Sequence, residues 1–297
     1  RAAAPPPRLK LALAARATRP WSFSATVAPV ALGAALAHKL DDAFSAPLLA
    51  TTLGTTVGVH AAGNLLNTYF DFVKGADTKG SSDTTLVQGE LSPRQVLQLI
   101  GGCFGAAAAS AAPLCALTRA PMRKLLGALA LGVSSAYAYT GGPALKYRAM
   151  GDLLITTTFG PLLVGFSYLV QTGRLGWAPL LASLPLAAHI EAILHANNAR
   201  DVEEDAAAGV KTLALKLGPH RSSLLYTALI AAPFAAPLWA ALARPLLGAL
   251  PLLAAPNARA LLAAYRDGVF RDLPRRTAKF QFGFAALTIV RRRPLLT

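Results

Sequence analysis

Charge is scarce in this chain. Asp, Glu, Lys and Arg make up 14% of its 297 residues, against roughly 25% in an ordinary soluble domain. A chain this long with so few charges does not read as a soluble globule. Cysteine is nearly missing as well, with only Cys103 and Cys115. Both fall in one apolar segment, where a helix would set them about 18 Å apart, out of disulfide reach. A disulfide scaffold and a cysteine-based zinc site are thereby excluded. The five histidines (His38, His60, His189, His195, His220) show no zinc spacing either, beyond the six residues that separate His189 from His195. Zinc is not expected, and His195 reads as either lining a site or purely structural. Acidic residues are few, 14 against 29 basic ones, for a net charge of +15. In a soluble protein that excess would point to nucleic acid. Here the basic residues lie mostly between apolar segments, so the charge is read as membrane topology and contact with anionic lipid headgroups, with no nucleic-acid partner.

Apolar residues are abundant, 54% of the chain. A membrane-spanning helix needs about 20 mostly apolar residues. Segments 21–38, 47–66, 95–117, 122–140, 152–171, 176–196, 222–243 and 245–264 come close, and 278–290 is a shorter ninth. The fold expected is all-α, a polytopic transmembrane bundle of about nine spans with the last one cut short. Residues 1–20 read as a basic leader without fixed structure, a transit-peptide remnant or an ordinary leader before the first span. Residues 21–290 form the membrane domain and 291–297 a basic tail. With the loops numbered by alternating sides, the leader and the stretches 67–94, 141–151, 197–221 and 265–280 hold 19 of the 29 basic residues. The positive-inside rule puts that side in the cytoplasm or its equivalent. In a eukaryote this means an endomembrane (ER or Golgi), a mitochondrial membrane or an organellar envelope.

Eight of the 14 acidic residues sit in two loops on that side: Asp71, Asp77, Asp83 and Glu90, then Asp201, Glu203, Glu204 and Asp205. The loops lie about 130 residues apart in corresponding positions of two helical sets, as in an internal duplication. If the second span continues as helix, Asn67 and Asp71 are i and i+4 on one face with Asn64 a turn earlier. Gly75 then permits a turn that brings Asp77 back. In the second loop Asn197, Asp201 and Asp205 share a face, and Asn198 serves the same side. Carboxylates converging at a membrane surface repel one another, and a divalent cation relieves this. Mg²⁺ takes oxygen ligands and is often completed by substrate phosphates. Lys74, Lys79, Lys146, Arg148, Arg200 and Lys211 lie on the same side and can neutralise phosphate oxygens. The pattern therefore reads as a diphosphate site.

At these residues the chain resembles the UbiA superfamily of intramembrane aromatic prenyltransferases, and within it the naphthoquinone-directed branch. The resemblance runs from about Arg19 to Gln281. It rests on Thr18-Arg19-Pro20-Trp21-Ser22-Phe23, on Asn67-Thr68-Tyr69-Phe70-Asp71 with Gly75 and Asp77, and on Thr85-Leu86-Val87. Tyr139-Thr140-Gly141-Gly142-Pro143 with Lys146-Tyr147 and Gly151-Asp152 adds to it, as does Asn197-Asn198-Ala199-Arg200-Asp201 through Asp205 to Lys211. The chain departs at Thr84, where animal members carry Arg, and at Gln88, which replaces an acidic residue.

The resemblance implies spans around a central cavity in which the two Asp motifs hold Mg²⁺ and a prenyl diphosphate. Metal ligation then falls to Asn67, Asp71, Asp77, Asn198, Asp201 and Asp205. Lys146, Arg200 and Lys79 are the phosphate contacts, and Asn64 and Asn197 complete the binding set. Tyr139 and Tyr147 either face the allylic cation or act as interfacial anchors. Asp152 either orients a phosphate-binding base or caps the fifth span, the cap being preferred. The implied reaction transfers a polyprenyl group, such as geranylgeranyl, to a naphthoquinol, either menadiol or 1,4-dihydroxy-2-naphthoate. 4-Hydroxybenzoate and homogentisate are the alternative acceptors. A CDP-alcohol phosphotransferase would need a longer pattern than the fragment Ala199-Arg200-Asp201. A transporter would carry its charges near mid-span, whereas here most lie at span ends.

Overall fold

The computed structural model describes residues 7–78, 80–243 and 248–291. Lys79, the first six residues of the leader and residues 292–297 of the tail lie outside the described residues. No strand occurs among those described. Helix α1 (Pro7–Ala17) falls within the segment read as a leader. It is followed by α2 (Ser24–Asp41), α3 (Ala46–Val73), α4 (Pro93–Leu117) and α5 (Met122–Thr140). Next come α6 (Gly151–Thr157) and α7 (Leu163–Thr172), joined by a π turn over Thr158–Leu162. Then follow α8 (Trp177–Arg200), α9 (Val202–Ala207), α10 (Leu213–Ala231), α11 (Ala235–Ala243), α12 (Ala255–Arg266) and α13 (Leu273–Arg291).

Local chemistry sets many of these boundaries. Ser45 caps α3 by accepting the Leu48 amide, with Pro47 in the first turn. Ser92 and Gln95 form a reciprocal capping box at the start of α4. Thr212 caps α10. The π turn contains Pro161, which has no amide hydrogen to donate, so the ladder from α6 to α7 shifts there.

Small residues let the helices approach closely, as membrane packing requires. A Cβ on Gly33 of α2 would meet the Val164 carbonyl of α7 at 2.5 Å, and the Ser167 hydroxyl donates to the Val30 carbonyl at 2.7 Å. Gly54 and Gly58 of α3 sit against Ser110 and Ala107 of α4. Helix α8 is central and packs against α6, the π turn, α10, α13 and α2. A cluster around Tyr226, Leu261, Leu273, Phe280 and Phe284 joins α10, α12 and α13 to it. Trp177, Trp239 and Leu242 are about four-fifths exposed, which suits a lipid-facing surface.

Among the described residues, four helical segments are long and apolar enough to cross a membrane: Pro93–Leu117, Gly151–Thr172, Trp177–Arg200 and Leu213–Trp239. A fifth arises if Ala12–Ser22 and Ser24–Asp41, bent by 54°, count as one span. The count of nine is therefore not reached on length and apolarity. The stretch 245–264 divides into a 3-10 turn, Leu250–Ala254, and the twelve-residue α12. Helix α3 has 28 residues, but it carries Thr55, Thr56, His60, Asn64, Asn67 and Asp71 on its cavity side. Cys103 and Cys115 both lie on α4 and are free thiols.

Candidate active site

A cavity of about 250 Å³ opens among α2, α3, α5, α6, α7 and α8. Its inner walls are apolar, with Val59, Leu129, Ile155, Phe159, Phe166 and Ile193 among the lining residues. Its other end is polar and is built from the two acidic motifs.

The C-terminal half of α3 presents Asn64, Asn67 and Asp71 along one face. The helix ends at Lys74, and Gly75 takes a φ of 70°, a conformation open to glycine without penalty. The amide of Ala76 then returns to the Asp71 carbonyl at 2.8 Å, and that of Asp77 at 3.3 Å. The second motif repeats this device. Asp201 caps α8 and Asp205 lies in α9. Gly209 has a φ of 70°, and the Val210 amide returns to the Asp205 carbonyl at 2.8 Å. Both helices thus close in the same left-handed glycine turn, with an aspartate at its base. The duplication is clearer in this backbone geometry than in residue identity.

The loop between α5 and α6 supplies the basic groups. Lys146 Nζ donates to Asp71 Oδ2 at 2.7 Å, and the Tyr147 hydroxyl donates to Asp71 Oδ1. Lys74 sits over the Tyr147 ring, 4.4 Å from its centroid. Arg148 and Lys211 pair through an isolated β-bridge, which ties this loop to the second motif. Arg200 grips both oxygens of Asp201 at 2.6 Å and also donates to Ser82 at 2.8 Å. Arg19 donates to Asp83 Oδ2 at 2.8 Å, where the Thr68 hydroxyl also donates at 2.6 Å. The Thr85 amide donates to the other Asp83 oxygen at 3.0 Å.

Asp71, Asp83 and Asp201 therefore each have a basic partner. Among the described residues no side-chain hydrogen bond or ion pair reaches Asp77 or Asp205. Burial, reinforced by the Asp71 and Asp83 carboxylates, pushes the Asp77 carboxyl up to about 7. Burial also lifts Asp205 to about 6, with Asp201, Asp71 and Glu204 adding to it and Lys146 opposing. Desolvation would raise Asp83 too, but Arg19 and three hydrogen bonds outweigh it and hold that carboxyl well below the usual range. The Asn67 side-chain oxygen is buried and accepts no hydrogen bond from the described residues. These oxygen acceptors all line the polar end of the cavity, and oxygens of this kind are what a hard cation takes as ligands.

Of the predicted site residues, Asn64, Asn67, Asp71, Asp77, Tyr139, Lys146, Asn197, Asn198, Arg200, Asp201 and Asp205 all line this cavity. The Asn64 amide turns away from the acidic groups and donates to the Thr18 carbonyl and to Ser22. Tyr147 touches the site through Asp71 and is not among the lining residues. Asp152 makes no capping bond at the start of α6. It is buried, with Oδ1 unpartnered, because the first turn of α6 faces α8.

Sequence reasoning left Arg19, His60, Ser82, Asp83 and Glu204 without a role, yet all five line the cavity. His60 is held by Thr26 at 2.7 Å and Ser22 at 3.2 Å. The signal for Arg19 was its place in the Thr18–Phe23 motif. For Asp83 it was membership of the first acidic loop, but neither sign reveals that the two pair.

The UbiA prenyltransferase family matches residues 26–287 of the chain. The UbiA prenyltransferase domain-containing protein 1 of Gallus gallus is 44% identical over 272 residues, which cover 92% of this chain and 82% of that one. The Danio rerio protein of the same name is 46% identical over 268 residues, 89% of this chain and 78% of its own. Among solved structures, a UbiA homologue from Aeropyrum pernix K1 superposes with a TM-score of 0.68 at 19% identity, covering 90% of this chain and 97% of that one. A UbiA homologue from Archaeoglobus fulgidus bound to GPP and Mg²⁺ gives 0.59 at 17% identity, covering 93% and 99%. At these identities the structural likeness establishes the fold, and the sequence matches carry the kinship. The chain belongs to the UbiA prenyltransferase family.

Proposed function

We propose that this prenyltransferase carries a polyprenyl group from a prenyl diphosphate to a naphthoquinol, menadiol or 1,4-dihydroxy-2-naphthoate, on the way to a menaquinone. The observation that carries the reading is the cavity itself. Two acidic motifs with Lys146 and Arg200 sit at its polar end, and the rest of its wall is apolar. A prenyl diphosphate has the same division of character.

Asn67, Asp71, Asp77, Asn198, Asp201 and Asp205 would hold Mg²⁺. The ion would supply positive charge to the leaving diphosphate as the allylic C–O bond breaks. Lys146 and Arg200 can turn from Asp71 and Asp201 to phosphate oxygens and stabilise the same developing charge. The apolar walls hold the prenyl chain and keep water from the allylic centre. Tyr139, on the cavity wall, offers a π face to that centre. The electron-rich acceptor ring then forms the new C–C bond and loses a proton. The naphthoquinol acceptor is supported by the paired Asn197 and Asn198 with Arg200, which resemble the naphthoquinone branch. The excess of basic residues on the loop side supports a cytoplasm-facing site in an endomembrane, mitochondrial or envelope membrane.

The test is prenyl transfer by the full chain in lipid nanodiscs, using radiolabelled geranylgeranyl diphosphate and a panel of acceptors. Menadiol or 1,4-dihydroxy-2-naphthoate should be prenylated in a Mg²⁺-dependent way, and Asp71→Asn or Asp201→Asn should abolish it. Turnover only with 4-hydroxybenzoate or homogentisate would overturn the acceptor. Wild-type rates in both variants would overturn the site.

A further inference from the structure

Behind the wall of the cavity, three acceptor atoms meet. Asp152 of α6 and Glu191 and His195 of α8 each offer one ligand atom, and these atoms lie within 4.8 Å of one another. All three residues are buried, at 8%, 5% and 0% exposure. None of the three lines the diphosphate cavity. Among the described residues, Asp152 Oδ1, Glu191 Oε1 and His195 Nδ1 find no hydrogen-bond partner.

The outward-facing atoms of Glu191 and His195 are engaged. Glu191 Oε2 accepts from the Thr156 hydroxyl at 2.9 Å. His195 Nε2 lies 3.1 Å from the Ser222 carbonyl and 2.8 Å from the Ser222 hydroxyl; a proton on Nε2 satisfies the carbonyl, which can only accept, and that tautomer leaves Nδ1 its lone pair. The Tyr265 ring stacks parallel to the imidazole, and its hydroxyl meets Ser222 Oγ at 2.6 Å. This is the outer support that metal-binding histidines and carboxylates normally have. Two carboxylates and a neutral imidazole face one another, with no donor between them unless the carboxylates share a proton. Two negative charges in a low-dielectric interior are very costly. One divalent cation would cancel both.

We propose that Asp152, Glu191 and His195 form a second metal site, separate from the diphosphate site, for a divalent ion of the zinc class. An imidazole with two carboxylates suits Zn²⁺, which binds N and O at roughly 2.0–2.2 Å and sets its ligands about 3.4 Å apart. Mg²⁺ keeps several waters and prefers open, phosphate-completed sites. The ion would pin α6 to α8. Leu154, Ile155, Ile190 and Ile193 on these two helices line the cavity, so the site acts as a brace for that wall. Spacing along the sequence concealed it, because Asp152 comes from a different helix.

The experiment is metal analysis of the full chain, expressed with added zinc and purified in nanodiscs in excess Mg²⁺. Wild type should retain about one zinc per chain. Asp152→Asn, Glu191→Gln and His195→Gln should each lose it, and Asp71→Asn should keep it. X-ray absorption at the zinc edge of wild type should show N/O ligands including one imidazole. The spectrum decides the matter by itself if the variants do not fold. No retained zinc in wild type, retention in all three variants, or a spectrum without imidazole would overturn the proposal.

Discussion

Lys146 Nζ sits 2.7 Å from Asp71 Oδ2, although the two residues are 75 positions apart. The ammonium thus waits against a carboxylate beside the place proposed for the phosphates. Lys146→Ala should lower kcat/KM by about 10²-fold, the usual scale for losing one group that stabilises developing charge. Lys146→Arg should restore part of the loss. Steady-state kinetics with both variants check this, and an unchanged rate in Lys146→Ala would remove the residue from catalysis.

The raised Asp77 and Asp205 carboxyls predict a pH dependence. Their folded values, about 7 and about 6, lie above the ordinary 3.8, so the metal-free folded state binds protons more tightly than the unfolded chain. Stability should then fall as pH rises from about 4 to about 7. Mg²⁺ competes with those protons. Thermal midpoints in EDTA should drop between pH 5 and pH 8, and the gain on adding Mg²⁺ should be larger at pH 8. The double variant Asp77→Asn/Asp205→Asn should flatten both trends. An equal Mg²⁺ gain at the two pH values in wild type would contradict the assignment.

Arg19 and Asp83 form a second long-range pair, supported by Thr68 and Thr85. Arg19→Ala would leave the Asp83 charge buried with hydroxyl and amide donors only. The expected loss is roughly 1–3 kcal/mol of stability, read as a lowered unfolding midpoint. Adding Asp83→Asn should recover much of it, since the uncompensated charge is gone. If the double variant is no more stable than Arg19→Ala, the pair is not what holds the first loop.

Gly33 tests the packing. Its missing side chain lets α2 approach the Val164 carbonyl and Ser167 of α7. Gly33→Ala should cost roughly 1–3 kcal/mol by forcing the helices apart. Gly101, which has open space around it, should tolerate alanine with no loss. Paired thermal melts in the same detergent distinguish the two positions.

Much of this protein was determined by sequence alone, because the relevant physics is local. Apolar runs report their own transfer free energy, so the helical segments were legible. Asn67 and Asp71, like Asn197, Asp201 and Asp205, share a helix face through the 3.6-residue period. Gly75 marked the turn that brings Asp77 back to Asp71, whereas the matching turn at Gly209, which returns Val210 to Asp205, emerged only in the structure. The count of spans was not legible in the same way. Hydropathy cannot show that 245–264 breaks into a 3-10 turn and a short helix, nor that α3 spends a face on a polar cavity.

The pairings that complete the site were settled by tertiary structure. Lys146 meets Asp71, Arg19 meets Asp83 and Asp152 meets Glu191 only because α3, α5, α6 and α8 pack at particular angles and depths. Those angles come from close contacts such as Gly33 with Val164 and Gly160 with Ala187, which no single segment encodes. Burial then decided which carboxylates are left without a counter-charge. Asp83 has a guanidinium beside it, whereas Asp77 and Asp205 have no such partner among the described residues, and that difference exists only once the helices have come together.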